Sequence, residues 1–120
     1  MLKVSTENIG DLAIIECEGS LAGDAAFQLR DAVTSQNQAR TVVLEFTEVT
    51  ALEAWGLNVL LYLQRWAQSH NVRLKLFNPP KFLLDRLKKS AVMSEFEIAT
   101  LDEMVALLGR YDPQYAPPAA

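Results

Sequence analysis

Three carboxylates of this sequence could take part in acid-base chemistry. Glu45, Glu48 and Glu53 lie within one short segment, and paired carboxylates can serve as a general acid and a general base. That segment contains no lysine, no histidine and no metal-ligand spacing, and the three acids fall on different parts of a predicted strand and loop. The pattern argues against catalysis at these positions.

Single reactive side chains elsewhere give no better catalytic candidate. His70 lies in a predicted connection from helix to strand, which is typical of a surface turn. Cys17 is the only cysteine, which excludes an internal disulfide, and its apolar strand predicts a small buried residue. The usual thiolates and histidines of a zinc site are missing, as are glycine-rich phosphate loops. We therefore expect no enzyme activity, no metal and no cofactor.

Size and charge exclude further classes. The 120 residues are 50% hydrophobic and 22% charged, which is typical of one globular domain. A formal net charge of -4 disfavours nucleic acid, because phosphate backbones are bound by clustered Lys and Arg. Apolar runs such as 59–63 are far shorter than the roughly 18 residues that cross a bilayer, and no signal peptide is evident. We expect a cytoplasmic protein without membrane insertion.

The spacing of apolar residues predicts an α/β fold. Strands are expected at 2–5, 12–18, 41–46, 72–77 and 96–98, and helices at about 24–36, 55–69, 80–90 and 101–108. The first two strands predict a hairpin, and the later strand-helix-strand order implies a right-handed parallel crossover. The expected domain, residues 1–110, has a mixed sheet of four to five strands covered on one face by about four helices. Residues 111–120 contain three prolines and predict a flexible tail.

The predicted loop Thr47–Trp55 is where a site is expected. In an open α/β sheet, ligands bind beyond the carboxyl ends of the parallel strands. This loop also leads into a helix whose first amides and dipole favour an anion. Ala54 stands at the helix start, although alanine is a poorer N-cap than Ser or Asp by about 1 kcal/mol. Helix stability therefore does not explain this residue.

A resemblance to a known family follows from this region. The segment 41–61, reading Thr-Val-Val-Leu-Glu-Phe-Thr-Glu-Val-Thr-Ala-Leu-Glu-Ala-Trp-Gly-Leu-Asn-Val-Leu-Leu, resembles the core signature of STAS domains. This family includes the bacterial anti-sigma factor antagonists and the tails of sulphate transporters. The order of predicted elements agrees over about residues 2–109. The resemblance implies a regulatory domain that binds a protein partner rather than one that catalyses a reaction.

The family's switch position differs in this sequence. The corresponding loop typically reads Asp-Ser-Ser/Thr-Gly, and a kinase that is also the anti-sigma factor phosphorylates the first Ser, which abolishes binding. The matching residues here are Glu53, Ala54, Trp55 and Gly56. Because Ala54 has no oxygen to accept a phosphate, we expect no phosphorylation at this position. Binding without the switch is the expectation that follows.

The resemblance also implies a partner-binding surface and a set of partners. The expected partner is an anti-sigma factor of the serine-kinase type, and the alternative is a role as the STAS subunit of an ABC-type lipid or other transporter. A small enzyme or nucleotide binder is disfavoured by the missing motifs. The residues expected to contact the partner are Glu48, Thr50, Glu53, Ala54, Trp55, Gly56, Leu57 and Asn58.

Three aromatic residues of the second predicted helix share one edge. At 100° per residue, Trp55, Tyr62 and Trp66 fall within about 40° of one another beside the apolar stripe. Such an edge can anchor a partner or a second copy of the chain, and a homodimer is one possible outcome. We expect Trp55 to lie at an interface, and Tyr62 and Trp66 to pack against neighbouring elements.

Overall fold

The computed structural model describes residues 2–111, which form one α/β domain with a five-stranded sheet and four α-helices. The sheet order is β1-β2-β3-β4-β5; β1 pairs antiparallel with β2, and every later pairing is parallel. Short 3-10 turns follow β2 and α3. The elements are β1 (Leu2–Ile9), β2 (Leu12–Leu21), α1 (Ala26–Thr34), β3 (Thr41–Leu52), α2 (Ala54–Ser69), β4 (Arg73–Phe77), α3 (Lys81–Lys89), β5 (Glu97–Ala99) and α4 (Leu101–Tyr111).

Three helices cover one face of the sheet and form the larger core. Successive strand residues point to opposite faces, so alternate apolar residues of β2 and β3 share this side. Leucines of α1, α2 and α3 meet them there, and Phe46 is the largest side chain that is fully buried. The residues at the centre of this core include Ala13, Ile15, Cys17, Leu29, Val42, Leu44, Leu60, Leu63, Leu83 and Leu87.

The expectation that all four helices lie on one face was wrong for α4. Met104 and Leu107 of α4 form a second core with Leu12, Val43 and Ala99, on the opposite face of the sheet. The physical reason is that β2 and β3 carry apolar residues at consecutive positions as well as alternate ones. Both faces of these central strands therefore need to be kept from water.

The end of the described chain differs from the expected tail at one residue. Tyr111, assigned by the sequence to the tail, is the last residue of α4. Its ring lies over Gly10, and its hydroxyl donates a hydrogen bond to the Asp11 carboxylate. The rest of the expected tail, residues 112–120, lies outside the described residues. Among the helices within 2–111, each is too short or too polar to span a membrane.

The start of α4 carries a capping pair, Thr100 and Glu103, which extends into an ion-pair network. The Glu103 N–H donates to Thr100 Oγ1 at 3.1 Å. Lys75 of β4 is buried, with its Nζ 3.3 Å from Glu103 Oε2 and 3.7 Å from Glu97 Oε1. The hydrogen bond from Lys75, its charge and the contacts with Thr100 hold the pKa of the Glu103 carboxyl below its ordinary value.

Replacing Glu103 with Gln should lower the unfolding temperature at neutral pH but not in acid. Because folding lowers this pKa, the stabilisation is present above the ordinary value of 4.5 and is lost as the pH falls through the folded-state value. Thermal melts of wild type and Glu103→Gln between about pH 7 and about pH 3 measure the difference. Asp102→Asn, in the same helical turn, leaves the Lys75 pair intact and should have a smaller effect. A gap that persists unchanged in acid would contradict this assignment.

Candidate partner-binding surface

Most of the predicted loop Thr47–Trp55 is strand. β3 continues past Phe46 to Leu52 and remains paired with β2. The sequence misses this extension because its polar and apolar residues do not alternate regularly. The loop predicted from the sequence is thus reduced to the junction at Glu53 between β3 and α2.

Two β-bulges explain the irregular pattern. At two places in the pairing of β2 with β3, the segment of β3 between successive residue pairs is one residue longer than the matching segment of β2. A bulge bends a strand, re-aims its side chains and is often found next to a functional site. Here Val49 packs into the helix-covered core, while Glu48 and Thr50 are exposed. The pairs that flank the bulges are Glu16↔Glu45, Glu18↔Glu48, Gly19↔Val49 and Ser20↔Ala51.

The first turn of α2 starts directly at the end of the sheet. Glu53, rather than Ala54, is the N-cap residue, and its side chain makes no capping hydrogen bond. The Glu53 N–H donates to the Leu21 carbonyl at 3.1 Å, and its own carbonyl accepts from the Leu57 N–H at 3.0 Å. The same residue therefore completes the pairing with β2 and opens the helix. Both Glu53 and Ala54 are exposed.

Gly56 lets this turn approach the sheet. A Cβ atom at this position would collide with the carbonyl oxygen of Leu21 and would lie 3.0 Å from the Leu52 Cδ1 atom. The first of these neighbours is backbone that is itself hydrogen-bonded, so it has little freedom to move. The glycine that the sequence shares with the family signature is therefore required by packing, because only a residue without a side chain fits.

The eight predicted contact residues divide into two groups. Gly56 and Leu57 are buried on the side of the first turn that faces the sheet. The other six are exposed at the end of β3 and in the first turns of α2, and they are Glu48, Thr50, Glu53, Ala54, Trp55 and Asn58. The structure thus places all eight residues at the end of β3 and in the first two turns of α2, with six of them exposed and two buried.

An open groove between α1 and α2 adjoins this surface. It has a volume of about 410 Å³ and is lined by aromatic rings with a few polar groups. The Trp55 and Phe27 rings meet edge to face with centroids 5.6 Å apart, and the Arg30 guanidinium lies 4.6 Å from the centre of the Phe27 ring. The lining residues are Phe27, Arg30, Thr34, Trp55, Asn58, Val59, Tyr62 and Trp66.

The predicted aromatic edge of α2 forms one wall of this groove. Trp55 is 47% exposed and Tyr62 is 51% exposed, so the expectation that Tyr62 packs against neighbours was wrong. Trp66 is half-buried and stacks on His70 at 4.6 Å between ring centroids. The opposite wall comes from α1, and sequence reasoning missed Phe27 because no partner for it could be assigned before the helices were placed.

The remaining reactive side chains have structural roles. Glu45 accepts hydrogen bonds from the Thr47 N–H at 2.8 Å and from the Thr47 hydroxyl, which in turn accepts from Asn78 Nδ2 at 2.9 Å. Burial, together with the charge of Glu45, raises the pKa of the Cys17 thiol to about 12, so it stays protonated near neutral pH. Neither group is arranged as a nucleophile or a general base.

Comparison with known families decides the class of this domain. A family model described as Mlab, STAS domain, matches residues 6–109. The chain belongs to the STAS domain family. The match runs from β1 into α4, so the family resemblance predicted from the sequence is confirmed for this STAS domain. No curated protein matched the chain.

Solved anti-sigma factor antagonists share the fold of this STAS domain. Unphosphorylated SpoIIAA gives a TM-score of 0.72 at 18% identity, over 88% of this chain and 96% of that chain. The phosphorylated form of SpoIIAA from Bacillus gives a TM-score of 0.68 at 19% identity, over 88% of this chain and 99% of that chain. An anti-sigma factor antagonist from Mycobacterium paratuberculosis gives a TM-score of 0.75 at 14% identity, over 89% of this chain and 93% of that chain. These likenesses confirm the predicted single domain with a mixed sheet.

Adding a methyl group at Gly56 tests how the turn is held. We expect Gly56→Ala to lower the free energy of unfolding by about 1–3 kcal/mol, the usual effect of overpacking a filled site. Urea denaturation followed by circular dichroism measures the change. Asn58→Ala, an exposed position in the next turn, should stay within about 0.5 kcal/mol of wild type. If both variants matched wild type, the contact with Leu21 would not limit this position.

Proposed function

We propose that this STAS domain is a non-catalytic regulatory module that binds a protein partner through the end of β3 and the first turns of α2. The observation that carries the proposal is the exposed Trp55 beside Ala54, at the mouth of an aromatic groove. Tryptophan has a large apolar surface and is enriched among the residues that dominate binding energy. Its position on a short, tightly supported turn offers a partner a rigid anchor at low entropic cost.

The acidic side chains of this surface indicate the charge of the partner. Glu48 and Glu53 are both exposed, and the whole chain has a formal net charge of -4. Complementary charge speeds encounter and suppresses wrong partners. We infer a partner surface that presents Lys or Arg around a pocket for an aromatic ring.

An anti-sigma factor of the serine-kinase type is the partner that the family favours. Proteins of the same fold are anti-sigma factor antagonists, and one of them was solved in unphosphorylated and phosphorylated forms. A phosphoryl group adds charge and bulk that can block a docking surface. Ala54 has no hydroxyl, so in this proposal binding persists whether or not the kinase is active.

Kinase treatment separates binding from switching. The partner is first captured from cell extract of the source organism on the immobilised chain and then tested with ATP. Wild-type binding should be unchanged by ATP and the captured kinase. Ala54→Ser should gain one phosphate at position 54 and then lose binding, because the restored hydroxyl can be modified.

Mass spectrometry of each chain after the reaction provides the control for this experiment. Ala54→Ser without ATP should bind like wild type, which shows that the substitution itself is harmless. Phosphate on another Ser or Thr that abolishes wild-type binding would overturn the proposed insensitivity. Capture of a transporter subunit in place of a kinase would overturn the anti-sigma assignment.

Truncation of Trp55 tests the anchor. We expect Trp55→Ala to weaken partner binding about thirtyfold, which corresponds to a hot-spot loss of about 2 kcal/mol. Isothermal titration or surface plasmon resonance with the captured partner measures the dissociation constant. The matched control is Phe82→Ala, which removes a ring that is 41% exposed on α3, and it should leave the affinity unchanged. Equal affinities for the two variants would remove Trp55 from the interface.

A further inference from the structure

The outer edge of β1 has no neighbouring strand. Within residues 2–111, β1 lies at the end of the sheet order and pairs with β2 alone. An edge strand presents a row of N–H and C=O groups without a partner in the sheet, and proteins usually blunt such an edge with a proline, a bulge or a very short strand. β1 has none of these features. It is eight residues long, contains no proline and pairs with β2 without a register shift.

The two faces of β1 carry different side chains. Successive residues of a strand point to opposite faces. Leu2 is buried in the helix-covered core and Val4 packs against that core, so the even-numbered residues lie on the helix side. Lys3, Ser5 and Glu7 therefore lie on the other face, and all three are exposed. A strand added to this edge would meet one cation and one anion of β1 on the same face.

These two charges lack partners in the described chain. Within residues 2–111, neither Lys3 nor Glu7 forms an ion pair. On the β2 side, Glu7 lies opposite Ile14, and the next residue of β2 on the same face is Glu16. Glu7 thus has a like charge on its inner side, and a cation on its outer side would offset this repulsion.

Symmetry restricts how two copies of β1 can pair. Two antiparallel strands of identical chains in one sheet are related by a two-fold axis perpendicular to the sheet, so each residue lies opposite a residue of the same face. Among the registers that satisfy this condition, the longest overlap places Ser5 on the axis and pairs residues 2–8 of each copy. In that register Lys3 of each copy lies opposite Glu7 of the other, so the opposite charges meet twice.

The same register is favoured over its neighbours. A slip of two residues in either direction places Lys3 or Glu7 opposite Ser5 and so separates the opposite charges. A slip of four residues places Lys3 opposite Lys3, or Glu7 opposite Glu7, which is destabilising. On the helix side, the favoured register pairs Val4 with Thr6, and β-branched side chains suit such cross-strand pairs. Charge and shape therefore select one register.

We propose that two copies of this chain form a dimer by antiparallel pairing of their β1 strands. Main-chain hydrogen bonds supply the affinity, as in other cases where a strand is added to a sheet edge, and the two Lys3–Glu7 pairs fix the register. The interface shares no residue with the proposed partner-binding surface, so it is independent of the proposed function. Because the two-fold axis reverses the strand direction, the dimer presents two partner-binding surfaces at opposite ends of one joined sheet.

Charge reversal tests the proposed register. Sedimentation velocity of wild type should give about twice the 13.4 kDa of one chain, with a mass that falls on dilution. Lys3→Glu places two acids opposite each other and Glu7→Lys places two lysines there, so each variant alone should sediment as a single chain. The double variant, Lys3→Glu with Glu7→Lys, restores opposite charges and should dimerise like wild type. An equimolar mixture of the two single variants should also recover the dimer.

Matched controls decide between the outcomes. Lys81→Glu makes the same change of net charge as Lys3→Glu at an exposed position of α3 and should leave the wild-type mass unchanged. Each variant should keep the wild-type circular dichroism spectrum, because both substituted positions of β1 are exposed. A wild type that keeps the mass of one chain up to about 1 mM, where even weak complexes assemble, would overturn the proposal. Dimers that persist in both single variants, or that mixing fails to restore, would also overturn it.

Discussion

The contact between Gly56 and the Leu21 carbonyl fixes the geometry on which the rest of the surface depends. Leu21 ends β2, and its carbonyl already accepts the N–H of Glu53. With no side chain at position 56, the first turn of α2 packs directly onto this strand end and leaves no space for a Cβ atom between them. Ala54 and Trp55 consequently face outwards, and Trp55 lies at the end of the groove between α1 and α2.

The aromatic groove is a consequence of how α2 sits on the sheet. Val59, Leu60 and Leu63 point into the core. Residues rotated by about 100° from these around the helix axis therefore lie at the margin of the buried face. That margin carries aromatic rings that are too large to be covered by α1 alone. Phe27 and Arg30 of α1 face these rings without filling the space between the two helices, and this space is the aromatic groove.

The sequence predicted the elements well because the spacing of apolar residues along each strand and helix is a local signal. The sequence did not predict that α4 lies on the opposite face of the sheet from the other helices. The central strands are apolar on both faces, so residues such as Leu12 and Val43 do not show which helix covers them. The end of β3 was missed for another reason: its bulges break the alternation by which strands are recognised. The positions of Glu53 and Ala54 at the start of α2 were nevertheless predicted, because a family signature is independent of the exact strand end.

The first turn of α2 forms without a hydroxyl at residue 54. Glu53 supplies the N-cap position, so the helix does not need a hydroxyl at residue 54 to begin. Ala54 is exposed, so no core contact depends on its side chain either. An alanine here therefore costs the fold little, and it leaves the close approach at Gly56 intact. Compared with the family's usual Asp-Ser-Ser/Thr-Gly, the segment Glu53–Gly56 thus lacks a hydroxyl at position 54 and presents an exposed tryptophan ring at position 55.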